Sequence, residues 1–110
     1  MFARRVHMRL KLNCVAQLTE KVDTEVIPML RKLKGFQDEI TFVTPSGTEA
    51  FAISLWDRAE SAEVYNQTIY PAVMKIVSKY INGKPEVEIF EVTNSTFHKI
   101  VAAGLGERSA

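Results

Sequence analysis

The sequence predicts an α+β domain of β-α-β-β-α-β order: a four-stranded antiparallel sheet with two helices packed on one face. Three observations predict it. Four short stretches alternate apolar and polar residues or run apolar throughout, as strands do. Two longer stretches repeat apolar residues at steps of three and four, as amphipathic helices do. Two of the strands are joined only by Pro45-Ser46-Gly47-Thr48, a tight hairpin connection.

The first strand is Phe2 to Leu12. Phe2, Val6, Met8, Leu10 and Leu12 share one parity, in which Arg4 is the exception, and Arg5, His7, Arg9 and Lys11 share the other. Period two over this length gives a strand one apolar face. Val15, Leu18, Val22, Val26, Leu30 and Leu33 then form the stripe of a helix. Asn13 is placed to cap its start and Gly35 to end it. Pro28 has no N–H to donate and crowds the preceding turn, which predicts a kink near Asp23 to Val26 or a fresh helix start.

Asp38 to Thr44 and Glu49 to Trp56 are the hairpin strands. Asp57 is placed to cap the second helical region, with Glu60 completing a capping box. A break is expected near Thr68 to Pro71, after which Val73, Ile76, Val77, Tyr80 and Ile81 resume the apolar face. Asn82-Gly83-Lys84-Pro85 stops the helix and Glu86 to Val92 is the last strand. The order is that of a ferredoxin-like fold, with residues 1–93 as the domain and 94–110 as a tail. Of that tail, Ser95 to Val101 is expected to dock on a sheet edge or on a partner, and the last residues to fray.

Two helices cover one face of such a sheet, yet the third strand is apolar on both parities. Phe51, Ile53 and Leu55 lie on one, and Ala50, Ala52 and Trp56 on the other. Leaving such a face in water forfeits about 1.5–3 kcal/mol per large side chain. The expected cover is a second copy of the chain, sheet to sheet, in a homodimer. The small residues Ala50, Ala52 and Ser54 leave room if their face meets the helices. Two readings follow: Trp56 walls a cavity there, or Phe2, Met8 and the helix side chains fill the space.

At 110 residues, 46% hydrophobic and 25% charged, the chain has the composition of one globular domain. A net charge of +1 carries no field toward nucleic acid or an anionic membrane. The basic cluster of Arg4, Arg5, Arg9 and Lys11 reads as a solvated or partner-facing strand face. RNA-recognition modules share the topology but need exposed aromatics and basic residues on the central strands. The third strand has only Phe51 and no basic residue, so no nucleic acid is expected. No apolar run approaches the ~18 residues of a membrane span, and polar residues interrupt what would be a signal-peptide core. The lone Cys14, without a nearby His or second Cys, supports neither a disulfide nor a metal site, and a cytoplasmic location is expected.

Ser54-Leu55-Trp56-Asp57, followed by Glu60-Ser61-Ala62-Glu63-Val64-Tyr65, resembles the antibiotic biosynthesis monooxygenase family. The shared features are the tryptophan of the third strand, the acidic residue after it and an aromatic a few turns into the helix. Gly35-Phe36 also fits. The resemblance spans roughly Val6 to Val92 and implies a dimeric α/β barrel. It also implies a superfamily that includes cofactor-free oxygenases of aromatic or quinol-type molecules, haem-degrading monooxygenases, isomerases and proteins without chemistry.

Cofactor-free oxygenation needs an electron-rich substrate anion, hydrogen-bond donors or a base, and a dry pocket. Trp56, Tyr65, Asn66 and Tyr70 are the candidate lining of a substrate pocket, and His98 and Tyr70 the candidate catalytic groups. Each also has a plainer reading: Trp56, Tyr65 and Tyr70 as packing aromatics, and Asn66 as a turn residue. His7 has the parity of Arg5 and Arg9, away from the helices, and His98 reaches a pocket only if the tail folds back. The haem-degrading branch carries an iron-ligating histidine on the second helix and an asparagine on the first strand. Here Pro71, Val73 and Met74 stand near the first place, and no asparagine precedes Asn13. No glycine-rich phosphate loop follows the first strand. No cofactor and no metal are therefore expected. A ligand-binding or stress-related dimer without chemistry is the alternative function.

Overall fold

The computed structural model describes residues 1–100. Its strands are β1 (Phe2–Leu10), β2 (Phe36–Val43), β3 (Glu49–Trp56) and β4 (Ile81–Glu91). They form one antiparallel sheet in the order β2-β3-β1-β4. Between β1 and β2 run α1 (Val15–Lys21), a π-helical stretch (Val22–Val26) and α2 (Ile27–Arg31). Between β3 and β4 run α3 (Ala59–Thr68), α4 (Tyr70–Val77) and a short 3₁₀ turn at Ser78–Tyr80. The ferredoxin-like α+β fold is thus present, with each expected helix divided in two.

Both divisions follow from a proline. Pro28 cannot donate to the carbonyl one turn back, and the ladder widens over the residues just before it. The widening also aligns the stripe. Leu18, Val22, Val26 and Leu30 are spaced by four, and three such steps drift by about 120° on a regular helix of 3.6 residues per turn. A π-helical turn takes up part of that drift, and Leu18, Val26 and Leu30 all reach the core. Pro71 acts likewise at the start of α4, where Ile69 (φ −110°, ψ −37°) separates the two segments.

The sheet's two faces are set by parity. Val6, Met8 and Leu10 of β1 and Ala50 and Trp56 of β3 are buried beneath the helices, with Leu18, Leu30, Ala62, Tyr65, Val73 and Val77 above them. The other face carries Phe51, Ile53 and Leu55 beside Ile40, Phe42 and Phe90, of which Phe42 is 51% exposed. Arg5, paired with Glu88, and His7 lie on this outer face, as parity predicted. The His7 ring stacks on Phe51 at 4.6 Å, with Nε2 2.6 Å from Glu49 Oε1 and Nδ1 3.3 Å from Glu86 Oε1.

Several local expectations are corrected. Asn13 does not cap α1: it takes a left-handed conformation (φ 58°) that turns the chain off β1, and Cys14 stands at the cap without a side-chain bond. Asp57 does not cap α3; Arg58 holds that place. The Asp57 carboxylate instead accepts a 2.6 Å bond from Ser61 Oγ, which lowers its pKa. Strand β2 begins two residues early, with a bulge at Gln37 that lets Phe36 pair with Trp56 and Asp38 with Leu55. Asn82-Gly83-Lys84-Pro85 does not end a helix ahead of β4 but lies within that strand. Ile81 and Asn82 pair with Leu10 and Arg9, the register shifts, and pairing resumes at Glu86 with His7. An edge strand tolerates a proline and a bulge because its outer side needs no partner.

The tail turns back at Ser95, whose hydroxyl accepts bonds from the backbone N–H groups of Phe97 (2.9 Å) and His98 (3.2 Å). His98 Nε2 meets Asp38 Oδ2 on β2, at the sheet edge opposite β4. What was expected of Val101 to Ala110 lies outside the described residues.

Gly35 joins the two halves. Its φ of 86° is left-handed, its carbonyl accepts a 2.8 Å bond from the Asp57 N–H, and a Cβ there would overlap Asp57 Oδ1 and Ser61 Oγ. Gly35→Ala is expected to lower stability by more than the ~1–2 kcal/mol of left-handed strain alone. A fall in the urea midpoint with an unchanged m-value checks this; an unchanged midpoint contradicts it.

Candidate functional site

Small side chains at the centre of the sheet create the site. Across the helix-facing side, Glu39 of β2 pairs with Ser54 of β3, and Ser54 with Arg4 of β1. The next row is Thr41, Ala52 and Val6. Because Ser54 and Ala52 are short, the middle of both rows is a depression. Val22, Val26 and Leu30 roof it from the first helical region, and Tyr65, Tyr70, Val73, Met74 and Val77 from the second. The result is a mostly apolar cavity of about 60 Å³. That is room for a handful of water-sized groups, well below the ~300–1,000 Å³ of pockets for drug-sized ligands. An open groove beside α1 and the β2 edge shares Val22, Glu39 and Thr41 with the cavity, so these three stand where the two meet.

Arg4 is the unexpected member. It is 2% exposed and lies in the apolar parity of β1, under the helices. Its NH2 donates a 2.8 Å bond to Asn66 Oδ1, its guanidinium carbon sits 4.0 Å from the Tyr70 ring centroid and 5.1 Å from that of Tyr65. Cation–π contact and one hydrogen bond offset part of its desolvation. Parity was the signal that marked it. A charged residue in an otherwise apolar register is a buried charge or a bulge, and counting it with Arg5 and Arg9 as one basic cluster hid that.

Glu39 is the second group sequence reasoning missed, since it sits on an edge strand among polar neighbours. Burial raises its pKa, opposed by the Thr41 hydroxyl, which donates to its carboxylate oxygens at 2.8 and 2.9 Å. Burial likewise pushes the Tyr65 hydroxyl up to about 12, with the Arg4 charge acting the other way.

The residues singled out from the sequence fall in three places. Tyr65 and Tyr70 line the cavity, with their ring centroids 6.0 Å apart. Trp56 stands one layer behind it, 0% exposed, stacked on Tyr65 at 5.1 Å and edge-on to Phe36 at 5.5 Å. Its Nε1–H donates a 2.8 Å bond to Ser54 Oγ, so it acts on the cavity through that serine and through Tyr65 without lining it. Asn66 is exposed on α3, lining a separate recess beside Val87 and Ile89 while it holds Arg4. His98 is on the far side of the sheet: Asp38 alternates with the cavity-facing Glu39, so the ring at Asp38 stands on the opposite face. Among the described residues, no three His, Cys, Asp or Glu side chains converge as a metal site. No helix among them is long and apolar enough to cross a membrane.

The Glu39 side chain gives a pH test. Its folded pKa is raised, so its ionised form destabilises the fold above that pKa, and below the ordinary value of 4.5 both states hold the proton and the penalty is gone. Glu39→Gln keeps an acceptor for Thr41. It is expected to raise the melting temperature at neutral pH, by an advantage that shrinks to nothing as the pH falls below 4.5. Parallel melting curves from acid to neutral pH measure it, and an advantage independent of pH would refute the assignment.

No protein-family model and no curated protein matches the sequence. Solved structures do match the fold. A monooxygenase from ActVA-Orf6 of Streptomyces coelicolor, solved with nanaomycin D, superposes with a TM-score of 0.74 at 14% identity, over 89% of this chain and 92% of that one. A protein of unknown function from Nitrosomonas europaea, NE2512, gives 0.71 at 16% identity over 93% and 95%. A structure named antibiotic biosynthesis monooxygenase gives 0.69 at 10% identity over 86% and 100%. At these identities the likeness is one of fold: the chain shares the ferredoxin-like α+β fold of these structures.

Proposed function

We propose that the protein is a cofactor-independent monooxygenase-like enzyme acting on a small aromatic or quinol-type molecule that lies in the groove beside α1 and β2 and presents only its reacting edge to the cavity between sheet and helices. The observation that carries this reading is the cavity itself. It is apolar and narrow, walled by Tyr65 and Tyr70, and Arg4, Glu39 and Ser54 are the polar groups in one row at its floor. An apolar, preorganised site of this kind suits a reaction whose only chemical demand is to form and hold a substrate anion beside dioxygen.

For a quinol the reaction balances without any other reductant. Loss of a phenolic proton makes the ring electron-rich, and the anion passes electrons to dioxygen. A C–O bond forms at a ring carbon, the O–O bond breaks as that carbon gives up its hydrogen, and the products are a hydroxyquinone and water. All four electrons come from the substrate. In this reading Glu39, which lines both the cavity and the groove, takes the phenolic proton.

Purified protein is expected to consume oxygen with a monocyclic quinol above the rate of the quinol alone. With ¹⁸O₂, one labelled atom should enter the product. Tyr70→Ala, which removes a wall of the cavity, should reduce the rate about tenfold or more. Oxygen uptake equal to the quinol control would defeat the enzymatic reading. Two observations favour a second reading, a ligand-binding protein without chemistry: no histidine lines the cavity, and burial makes the Tyr65 hydroxyl a weaker acid than an ordinary tyrosine. Bound ligand with no oxygen uptake would select it.

The outer face of the sheet supports a homodimer. Ile40, Phe42 and Phe90 are exposed there beside half-buried Phe51, Ile53 and Leu55, a continuous apolar surface flanked by the ion pairs of Arg5 and His7. A second copy packed sheet to sheet buries it with twofold symmetry. Sedimentation velocity is expected to give a dimer that Phe42→Asp converts to monomer with its secondary structure intact; a monomeric parent chain would refute this.

A further inference from the structure

β2 is an edge strand: among the described residues it pairs with β3 and has no strand on its other side. Beside that open edge runs the groove along α1, about 760 Å³ in volume. Leu18, Val22, Ile27, Ile40 and Val43 make it largely apolar, and Ile40 is 38% exposed. Its charged members are Glu20, Asp23 and Glu39, all acidic. An open apolar edge is a template for pairing with another segment, and folded proteins generally cover it.

The chain carries its own occupant for this place. After β4 the tail crosses from one edge of the sheet to the other, where His98 Nε2 meets Asp38 Oδ2, next in sequence to the groove-lining Glu39. Ile100, two residues on, is half-buried and is the last described residue. Val101-Ala102-Ala103-Gly104-Leu105-Gly106 follows. Val101, Ala103 and Leu105 share one parity, and Ala102, Gly104 and Gly106 the other. Extended, such a segment has one apolar side and one that is nearly bare. Lys99 and Arg108 put basic groups at its two ends, with Glu107 the one acid, against the acidic members of the groove.

The reach is sufficient. Asp38 to Val43 along β2 is about 17 Å, and the seven residues 99–105 span about 23 Å when extended. Two glycines make the segment a weak strand former by itself. The anchor at His98 compensates, because a tethered segment meets its site at an effective concentration of millimolar order. A contact too weak to hold a free peptide is then still made. We propose that residues 101–105 add to the open edge of β2 in the chain that carries them, with Val101, Ala103 and Leu105 in the groove. The segment lies across the approach to the cavity and competes with a small molecule for the groove. The contact depends only on groove and anchor; its regulatory effect rests on the groove being a small-molecule site.

Hydrogen exchange read residue by residue by NMR on the full chain tests it. In the double variant Val101→Asp/Leu105→Asp, the amides of residues 39–43 that point away from β3 are expected to exchange about tenfold faster than in the parent, while those of β1 hold their rates. Equal exchange in the two proteins overturns the proposal. A difference between them that fades on dilution also overturns it, since the segment then comes from a second copy. If the double variant does not fold, His98→Ala, which releases the anchor, carries the test with the same expected direction. With hydroquinone as substrate, the double variant should show a KM lower by about threefold or more at unchanged kcat. An equal KM overturns the competition. Faster exchange in the variant with no oxygen uptake by either protein keeps the docked segment and loses the enzyme; oxygen uptake with equal exchange does the reverse.

Discussion

The burial of Arg4 is the constraint around which this domain is arranged. A guanidinium taken out of water costs several kcal/mol unless its surroundings compensate, and here each compensation comes from a different element. Asn66 of α3 accepts one N–H, and Tyr70 of α4 lies against the face of the cation. Ser54 of β3 sits beside it in the sheet. The second helical region is therefore held in register over β1 by polar contacts, in a layer otherwise closed by aliphatic packing. The break at Ile69 matters to this arrangement. It lets α3 bring Asn66 and Tyr65 to the arginine while α4 brings Tyr70 from a new start.

Trp56 supports the same layer from behind. It is wholly buried, fills the space between Phe36 and Tyr65, and its N–H fixes the Ser54 hydroxyl. The tryptophan thus shapes the cavity without entering it. The close pass of Gly35 over Asp57 and Ser61 ties the end of the first helical region to the start of α3. The cavity floor is made by the sheet and its roof by two helical regions whose relative position those two contacts fix.

Much of the architecture was legible in the sequence because parity and periodicity report which side of an element meets the core. The alternation of β1 placed His7 on the outer face, and the glycine–proline joint placed β3 residue for residue. Pro28 and Pro71 marked the two helix divisions. Turn signals were less transferable. Asn13 and Asp57 have the side chains of caps, but the chain direction leaving each strand put one in a left-handed turn and gave the other to Ser61. The Asn82–Pro85 run has the composition of a loop, yet β1 offered a strand edge and pairing absorbed it as an irregularity. In the site, Tyr65 and Tyr70 stand out as aromatics of the second helical region, while Arg4 reads with the basic cluster of its strand and nothing in the sequence singles out Glu39. His98 lies across the sheet from them.

The sequence alone determined the order of elements, the two faces of the sheet and the small residues that leave a hollow beneath the helices. Each is a local consequence of side-chain size and alternation, readable a few residues at a time. Only the tertiary structure decided that Arg4, Ser54 and Glu39 form one row, that among the described residues Arg4 meets Asn66 and no carboxylate, and that Trp56 stands behind the cavity. Those facts depend on strand register and on helices meeting the sheet from residues up to 62 positions away. A charge in one strand acquires its meaning from neighbours that only folding supplies.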